Sequence, residues 1–306
     1  LFVPIDPEPD PDPEPEPDNE FYTVFSSKTT TLVPGVEQTI KYTITNDDKQ
    51  NVIYIATVDV NREDIHLYAN YHNNDPSEGW AMSRVSDQVQ AAQARHTDPE
   101  DPDNYIENYA AVVGTNADFY NMSTGKPTGA LVMEGVEYHD AVNANFFGIL
   151  KDGTPVIGTA AEYYQMRDQI QEAVGGGILL VNNGESVITT SSDYYTNRHS
   201  RTCVGITADG RVVMMVLDGR QQPFSVGGSA EELAQIMLDA GCVKAMNLDG
   251  GGSSTFVAKQ EGSDEISVVN RPSDGYERSV SSSLLVALYS HSNLCICRVL
   301  SSSIMY

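Results

Sequence analysis

The sequence predicts an α+β (mixed α/β) fold: a single domain with a mixed, largely antiparallel sheet and a few helices, its loops forming a surface cleft. Three observations carry this expectation. Residues 202 to 220, "TCVGITADGRVVMMVLDGR", are two apolar runs on either side of Ala208, Asp209 and Gly210, the pattern of a hairpin. Ser229 followed three residues later by Glu232 forms a capping box for a helix through Ala240, and Gly241 supplies its left-handed stop. "CVKAMNL" then returns as a strand, completing the outline strand, strand, helix, strand, loop of a layered α and β domain.

The remaining elements follow in chain order. "NVIYIATVDVNREDIHLYAN" (51 to 70) is rich in β-branched and aromatic residues with partial alternation and reads as strands. In "RVSDQVQAAQAR" (84 to 95), Val85, Val89 and Ala92 recur at helical intervals. After a Pro and Asp loop, "YAAVVGTNADFY" (109 to 120) reads as a buried strand running into a loop. "NANFFGILKDGTPVIG" and "GGGILLVNNGE" read as further strands, with "KDGT" and "NNGE" as glycine-containing turns. "NADFY" and "NANFF" resemble each other 27 residues apart (145 minus 118), too short a match to establish a repeat.

Domain boundaries come from composition. Residues 1–20 form an acidic, proline-rich, disordered tether in which acids alternate with prolines and no base appears. Residues 21–290 form the catalytic-sized domain, and 291–306 a C-terminal tail of unassigned role that contains Cys295 and Cys297. The chain begins without Met, from which removal of a leader is expected. The expected location is therefore outside the cytoplasm, periplasmic or at the cell surface, with the tether leading to a lipid anchor or standing as a plain solvated tail.

At 306 residues and 40% apolar content, the chain is long enough to bury a sizeable core. A formal charge of −25 excludes a nucleic-acid binder, whose affinity rests on Lys and Arg neutralising phosphates. No apolar run reaches membrane-spanning length, so no transmembrane segment is expected. Four cysteines without Cys-x-x-Cys spacing argue against a zinc site, and Cys203 and Cys242 lie in apolar segments as small core residues. Nothing in the sequence sets an oligomeric state.

Three loops open at the ends of apolar strands and carry carboxylates: Asp118 in "TNADFY", Asp218 in "LDGR" and Asp249 in "NLDGGGSST". Loops at strand ends on a rigid sheet are common homes for catalytic groups, although Asp-Gly is also ordinary turn chemistry. After Asp249, Gly250, Gly251 and Gly252 let backbone amides approach a ligand, and Ser253, Ser254 and Thr255 add hydroxyls. A concavity lined by amides suits an anion such as phosphate. Arg201 and Arg220 lie in the neighbouring segments with the geometry for bidentate phosphate recognition, whereas Arg198 reads as solvated surface charge. Three loop carboxylates can also hold calcium, so a divalent cation is a candidate ligand, though the chemistry does not require a cofactor.

The order of these segments resembles the phosphodiester glycosidases. The carriers are "GTNADFYNMSTGKPTGALVMEGV", "GGGILLVNNGE", "RTCVGITADGRVVMMVLDGR", the "SAEELAQIMLDAGC" helix, "AMNLDGGGSSTFV" and "VVNRPSDGYERSVSSSLLV", spanning roughly Val52 to Leu288. The resemblance implies hydrolysis of a sugar joined through its anomeric carbon to a phosphodiester, with a glycosyl phosphodiester as the partner molecule. It matches Asn116 and Asp118 to the family's first loop, Arg201 and Thr202 to its Arg-Thr strand start, and Asp218 with Arg220 to its Asp-Gly-Arg. It further matches Asn247, Asp249, the glycines and hydroxyls through Thr255, and Arg278 as a late arginine. One departure is Ala117, where the family often has glycine. Asp249 is the first choice for the carboxylate that acts at the anomeric carbon and Asp218 the second, with Asp118 also in the set. Two other classes stay open: a non-catalytic glycan-binding envelope module using Trp80, Tyr120 and Phe147 for stacking, and a metal-dependent phosphodiesterase that cuts P–O.

Overall fold

Apolar runs without a polar side, such as "NVIYIATV" and "VVMMVL", require strands covered on both faces, and the fold supplies that cover. A computed structural model describes residues 19–289 except 143, 261, 262 and 264. The tether, but for its last two residues, and the tail with Cys295 and Cys297 lie outside the described residues. The first elements are β1 (Tyr22–Val33), β2 (Val36–Thr45), β3 (Gln50–Val58), β4 (Ile65–Tyr71), α1 (Val85–Thr97), β5 (Ala110–Asn116) and β6 (Leu131–Met133). Next come β7 (Val136–His139), β8 (Asn145–Leu150), β9 (Pro155–Gly158), α2 (Ala160–Met166), β10 (Ile170–Gly176), β11 (Leu179–Asn182) and β12 (Glu185–Ser186). The last are α3 (Asp193–Thr196), β13 (Arg201–Thr207), β14 (Val212–Leu217), α4 (Ala230–Asp239), β15 (Cys242–Asn247), β16 (Phe256–Lys259), β17 (Ile266–Val268) and β18 (Ser282–Leu288).

Among the described residues these strands form three sheets, ordered β1-β2-β3-β14-β13-β15-β11-β12, β7-β6-β10-β8-β9 and β17-β16-β5-β18-β4. The single mixed sheet of the sequence analysis is corrected on both counts: there are three sheets, and every pairing among their described strands is antiparallel. The unit of strand, helix and strand is present, and β14 and β15 do run the same way. However, β13 lies between them and is antiparallel to both, so no parallel pair forms.

Alternation along the central strands explains the layers. Val52, Tyr54, Ala56 and Val58 of β3, with Val212, Met214 and Val216 of β14, enter the central core shared with β4, β5 and β18. Their neighbours Ile53, Ile55, Val213, Met215 and Leu217 enter a second core beneath α4, where Leu233, Ala234, Ile236 and Met237 meet them. A residue period of two thus divides one apolar run between two cores. On the far side, Val85, Val89 and Ala92 of α1 cover Ala111, Leu285 and Ala287 of the third sheet. Cys203 and Cys242 are free and buried in the α4 layer, as expected of small core residues.

The β1–β2 hairpin is absent from the sequence reading. β1, "YTVFSSKTTTLV", is an edge strand that is largely exposed, and register shifts between Val24/Ser26 and Thr31/Val33 break its alternation. Phe147 is only 1% exposed and packs in the central core, so it cannot serve as a sugar-stacking platform.

The α4 capping box forms as predicted. Ser229 Oγ accepts from the Glu232 amide at 3.3 Å, and Glu232 Oε2 accepts from the Ser229 amide at 2.8 Å. Glu232 also binds Arg198 at 2.6 Å, and Arg198 reaches Asp47 at 2.6 Å. Arg198 is therefore a tie at the start of α4 rather than a solvated charge. Ser229→Ala is expected to cost about 1 kcal/mol in urea unfolding. Glu232→Ala should cost more, because it also releases Arg198; an equal or smaller loss would mean that the ion pair adds nothing.

Candidate active site

Strand direction gathers the loops named by the sequence. Arg201 at the start of β13 is paired with Leu217 at the end of β14, and Cys203 with Asn247 at the end of β15. In the neighbouring sheet, the end of β5 is paired with the starts of β16 and β18 through Thr115↔Phe256 and Asn116↔Ser283. The loops carrying Asp118 and Asp249 therefore leave facing sheets at one end and meet: the Asp249 amide donates to the Ala117 carbonyl at 2.9 Å.

Asn116 joins the two sheets. Its Nδ2 donates to the Asp249 carbonyl at 2.7 Å, while Oδ1 accepts from Thr202 Oγ1 at 2.7 Å and from the Thr255 amide at 3.1 Å. The side chain is buried, so each of these bonds replaces one that water would make. Asn116 and Thr202 thus hold the glycine block from beneath.

The block itself, residues 250–255, is pinned by Ser200. Its carbonyl accepts from the Gly251 amide at 2.8 Å and its hydroxyl donates to the Gly251 carbonyl at 2.7 Å. Gly251 has φ +64, a left-handed conformation that suits glycine. A Cβ on Gly251 would lie 3.0 Å from Arg220 Nη1, and one on Gly252 only 2.0 Å from Arg278 Nη2. Glycine here is what lets two guanidiniums close on the backbone. Arg278 also reaches Ser253 Oγ at 3.4 Å and is braced by Asp274 at 2.7 Å. Arg220 Nε donates to His199 Nδ1 at 3.1 Å. Burial first, then Arg220 and Arg201, draws the His199 pKa down, which keeps that nitrogen an acceptor.

The three aspartates separate into two roles. Asp118 and Asp249 interact electrostatically. Asp118 is 2% exposed, accepts from the Gly129 amide at 2.6 Å, and is pushed up to about 7 mainly by burial, with Asp249 adding to the shift. Burial also raises Asp249 to about 6, opposed by the Ser253 hydroxyl, the Gly250 amide, Arg278 and Arg220. Asp218 is engaged differently: Oδ1 accepts from Asn270 Nδ2 at 2.9 Å and Oδ2 from the Arg271 amide at 2.9 Å. Asn270 continues the chain of bonds to the Ser254 carbonyl at 3.1 Å and the Phe256 amide at 2.8 Å. Asp218 thereby fastens the segment leading to Arg278 against the far side of the glycine block.

Arg201 is fully buried, with Nε on the Gly228 carbonyl at 3.0 Å, Nη2 on the Asn197 carbonyl at 2.9 Å, and its guanidinium 4.7 Å from the Tyr194 ring centre. Tyr194 and Arg201 face each other, and four more buried polar atoms in this region, Asp118 Oδ1, Asn247 Oδ1, Ser254 Oγ and Thr255 Oγ1, have no hydrogen-bond partner among the described residues. Buried polar groups are normally satisfied, so these atoms are completed by water or by a bound polar molecule. Among the described residues no group of three or more His, Cys, Asp and Glu is placed to hold a metal ion.

Sequence reasoning missed Tyr194, Ser200, Asn270 and Asp274. Asp274 stands four residues before Arg278, but that spacing signals an ion pair only on a helix, and this segment is a turn. Tyr194 adjoins Tyr195 in "DYYTNRHSR", an aromatic pair just ahead of two arginines. Asn270 carries no such signal, since its partners are distant in the chain.

The buried acids set a pH dependence. Their folded pKa values, about 7 for Asp118 and about 6 for Asp218 and Asp249, lie above the value of 3.8 for a free carboxyl. The folded chain therefore binds protons that the unfolded chain releases. The resulting stability is fully present below about pH 4 and lost as pH rises through 6 to 7. Thermal melting followed by circular dichroism is expected to give a lower midpoint at pH 8 than at pH 5, and Asp118→Asn should flatten the difference. A midpoint that climbs from pH 5 to 8 contradicts this assignment.

The pattern of the phosphodiester glycosidase family matches residues 109–287, more than half of the chain. The mouse N-acetylglucosamine-1-phosphodiester alpha-N-acetylglucosaminidase is 30% identical over 164 residues, 47% of this chain and 31% of that protein. The SPbeta prophage-derived protein YomE of Bacillus subtilis is 30% identical over 188 residues, 58% of this chain and 28% of that protein. The chain thus spans about a third of the length of these relatives. The fold matches the zebrafish N-acetylglucosamine-1-phosphodiester alpha-N-acetylglucosaminidase catalytic domain, auto-inhibited by its pro-peptide. That match has a TM-score of 0.64 and 19% identity, and covers 88% of each chain. On the match over residues 109–287, which holds Asp118, Asp249 and the glycine block, the chain belongs to the phosphodiester glycosidase family.

Proposed function

We propose that the chain is a hydrolase that cleaves the anomeric C–O bond of a sugar-1-phosphodiester of the N-acetylglucosamine-α-phosphoryl-sugar type, releasing free sugar and a phosphomonoester. The observation that carries this reading is the juxtaposition at Asp249 of a carboxylate raised to about 6 with an amide-lined turn flanked by Arg220 and Arg278. An acid beside an anion cradle is what a sugar ester of phosphate needs.

The leaving group explains the design. A departing phosphomonoester has a second pKa of about 6, whereas an alcohol resembles water at roughly 15.7. Protonation of the leaving oxygen is then less important than stabilising its charge, which guanidiniums and fixed amides do in a site shielded from water. In this reading, Arg220, Arg278 and the Gly252 amide hold the phosphate, because the amides of Gly250, Gly251 and Ser253 are engaged by Asp249, Ser200 and the Gly250 carbonyl. Asp249 acts on the anomeric carbon or takes a proton from the attacking water. As the C1–O bond breaks, its electron pair leaves with the phosphate, and the water oxygen ends on the sugar. Asp118, raised through burial and its neighbour's charge, is the second carboxyl of the pair. Asp218 and Arg201 position the loops, and Asn247, Ser254 and Thr255 line the site with unpartnered polar atoms. Export through the segment of the acidic tether, with or without a lipid anchor, belongs to the same proposal. No cofactor is required in it.

Purified protein incubated with N-acetylglucosamine-α-phosphoryl-mannose in ¹⁸O water should release N-acetylglucosamine carrying the label and should continue to do so after chelation of divalent cations. Label in the phosphate would instead identify a phosphodiesterase that cuts P–O, and binding without turnover a glycan-binding module. Asp249→Asn should lower kcat by about 10²- to 10⁴-fold. Asp218→Asn should act mainly by raising KM, because it loosens the segment that carries Arg278. A kcat for Asp249→Asn equal to that of the wild type overturns the central assignment.

A further inference from the structure

"NANFF" (143–147) resembles "NADFY" (116–120), with Asn145 at the position of Asp118. The structure puts both on the backbone of a second glycine run, Gly175, Gly176 and Gly177. A Cβ on Gly175 would lie 2.7 Å from Asp118 Oδ2, and Asn145 Nδ2 donates to the Gly177 carbonyl at 2.7 Å. Gly177 in turn donates to the Asn247 carbonyl at 2.7 Å, two residues before Asp249. Asn145 is thus tied through Gly177 to the end of the strand that leads into Asp249, while Gly175, two residues earlier in the same run, packs against Asp118.

Beyond Asn145 opens a cavity of about 330 Å³ lined by Asn145, Ile178, Leu179, Val187, Thr189 and Thr190. None of the six carries a charge. We propose that this cavity receives the uncharged pyranose ring that bears the anomeric carbon, an inference that rests on the function proposed above. A glycosyl phosphodiester has two chemically distinct parts at its scissile bond, and the site divides in the same way. The anion requires cationic donors, which are Arg220 and Arg278 at the first glycine run. A phosphate in the cavity would meet no cation and would lose its hydration without compensation. A pyranose presents apolar C–H faces and hydroxyl edges. Ile178, Leu179 and Val187 suit the faces, while Thr189 and Thr190 suit the edges. The amide plane of Asn145 is fixed by its bond to Gly177. The volume lies near the lower end of the range of small-molecule sites, about 300–1,000 Å³, which fits one ring rather than an oligosaccharide.

Val187 and Thr189 have exposed side chains, so bulk can be added there without disturbing the core. Binding of N-acetylglucosamine, glucose and mannose, and separately of inorganic phosphate, would be measured by saturation-transfer NMR and calorimetry on wild type, Val187→Trp and Thr189→Trp. Melting curves would confirm that each variant is folded. Wild type is expected to bind at least one of the pyranoses, each tryptophan variant to bind it at least tenfold more weakly, and phosphate binding to stay within twofold. Sugar binding unchanged in both variants, phosphate binding lost along with it, or no pyranose bound by wild type overturns the cavity assignment. These measurements need no turnover. A wild type that binds sugar in the cavity but hydrolyses no glycosyl phosphodiester therefore keeps this inference while removing the proposed activity.

Discussion

The site depends on one buried amide. Asn116 hangs from the end of β5 and holds Thr202 of the large sheet, the Asp249 carbonyl and the Thr255 amide at once. Each of these groups is buried beside the interface between two sheets, and each would cost about 1–3 kcal/mol if left unsatisfied there. No aliphatic side chain can donate to one partner while accepting from two others. The residue therefore sets where the glycine block sits relative to both sheets. Through the block it also fixes the relation between Asp249 and the Asp118 that follows two residues after Asn116 itself.

Given that tie, the electrostatics of the site follow from burial. The chain carries a formal charge of −25, a field that opposes any anionic ligand. Arg220 and Arg278 act locally against it, at distances where attraction is strong, while remote charges are screened. Arg278 is braced by Asp274, whereas Arg220 leans on His199, whose lowered pKa keeps it neutral. The support of Arg278 thus offsets part of its charge, whereas that of Arg220 carries none. The carboxylates, with few cations directly on them, hold their protons into the neutral range, and Asp118 and Asp249 hold them differently because only Asp249 has the two arginines among the groups acting on it.

The elements that were legible in the sequence were those whose signals are local. The capping box of α4, the stop at Gly241, the spacing of α1 and the hairpin of β13 and β14 each depend on residues a few positions apart. The β1–β2 hairpin was not legible because an exposed edge strand rich in Thr and Ser buries too little to leave an alternation. Parallel pairing was a natural inference from strand, helix and strand, but order within a sheet is a long-range property. β13 is placed between β14 and β15 by hydrogen bonds that local patterning does not encode. The same distinction holds in the site. Asp118, Asp218, Asp249 and the glycines were marked by composition, while the bonds from Asp218 to Asn270 and Arg271 span 52 and 53 positions and leave no local signal.

The two glycine runs show why composition alone could mark a site without describing it. In residues 250–252 the missing side chains make room for Arg220 and Arg278, so bare backbone there means access for charge. In residues 175–177 they make room for Asp118, Met246 and Tyr195, so bare backbone there means close packing of one wall on another. A Cβ in the first run would displace a guanidinium and change what the site can bind. A Cβ in the second would push apart β10 and the loops that carry the carboxylates. One residue type thus performs two different tasks in the two runs. Only the identity of the atoms that approach each glycine separates the binding surface from its scaffold.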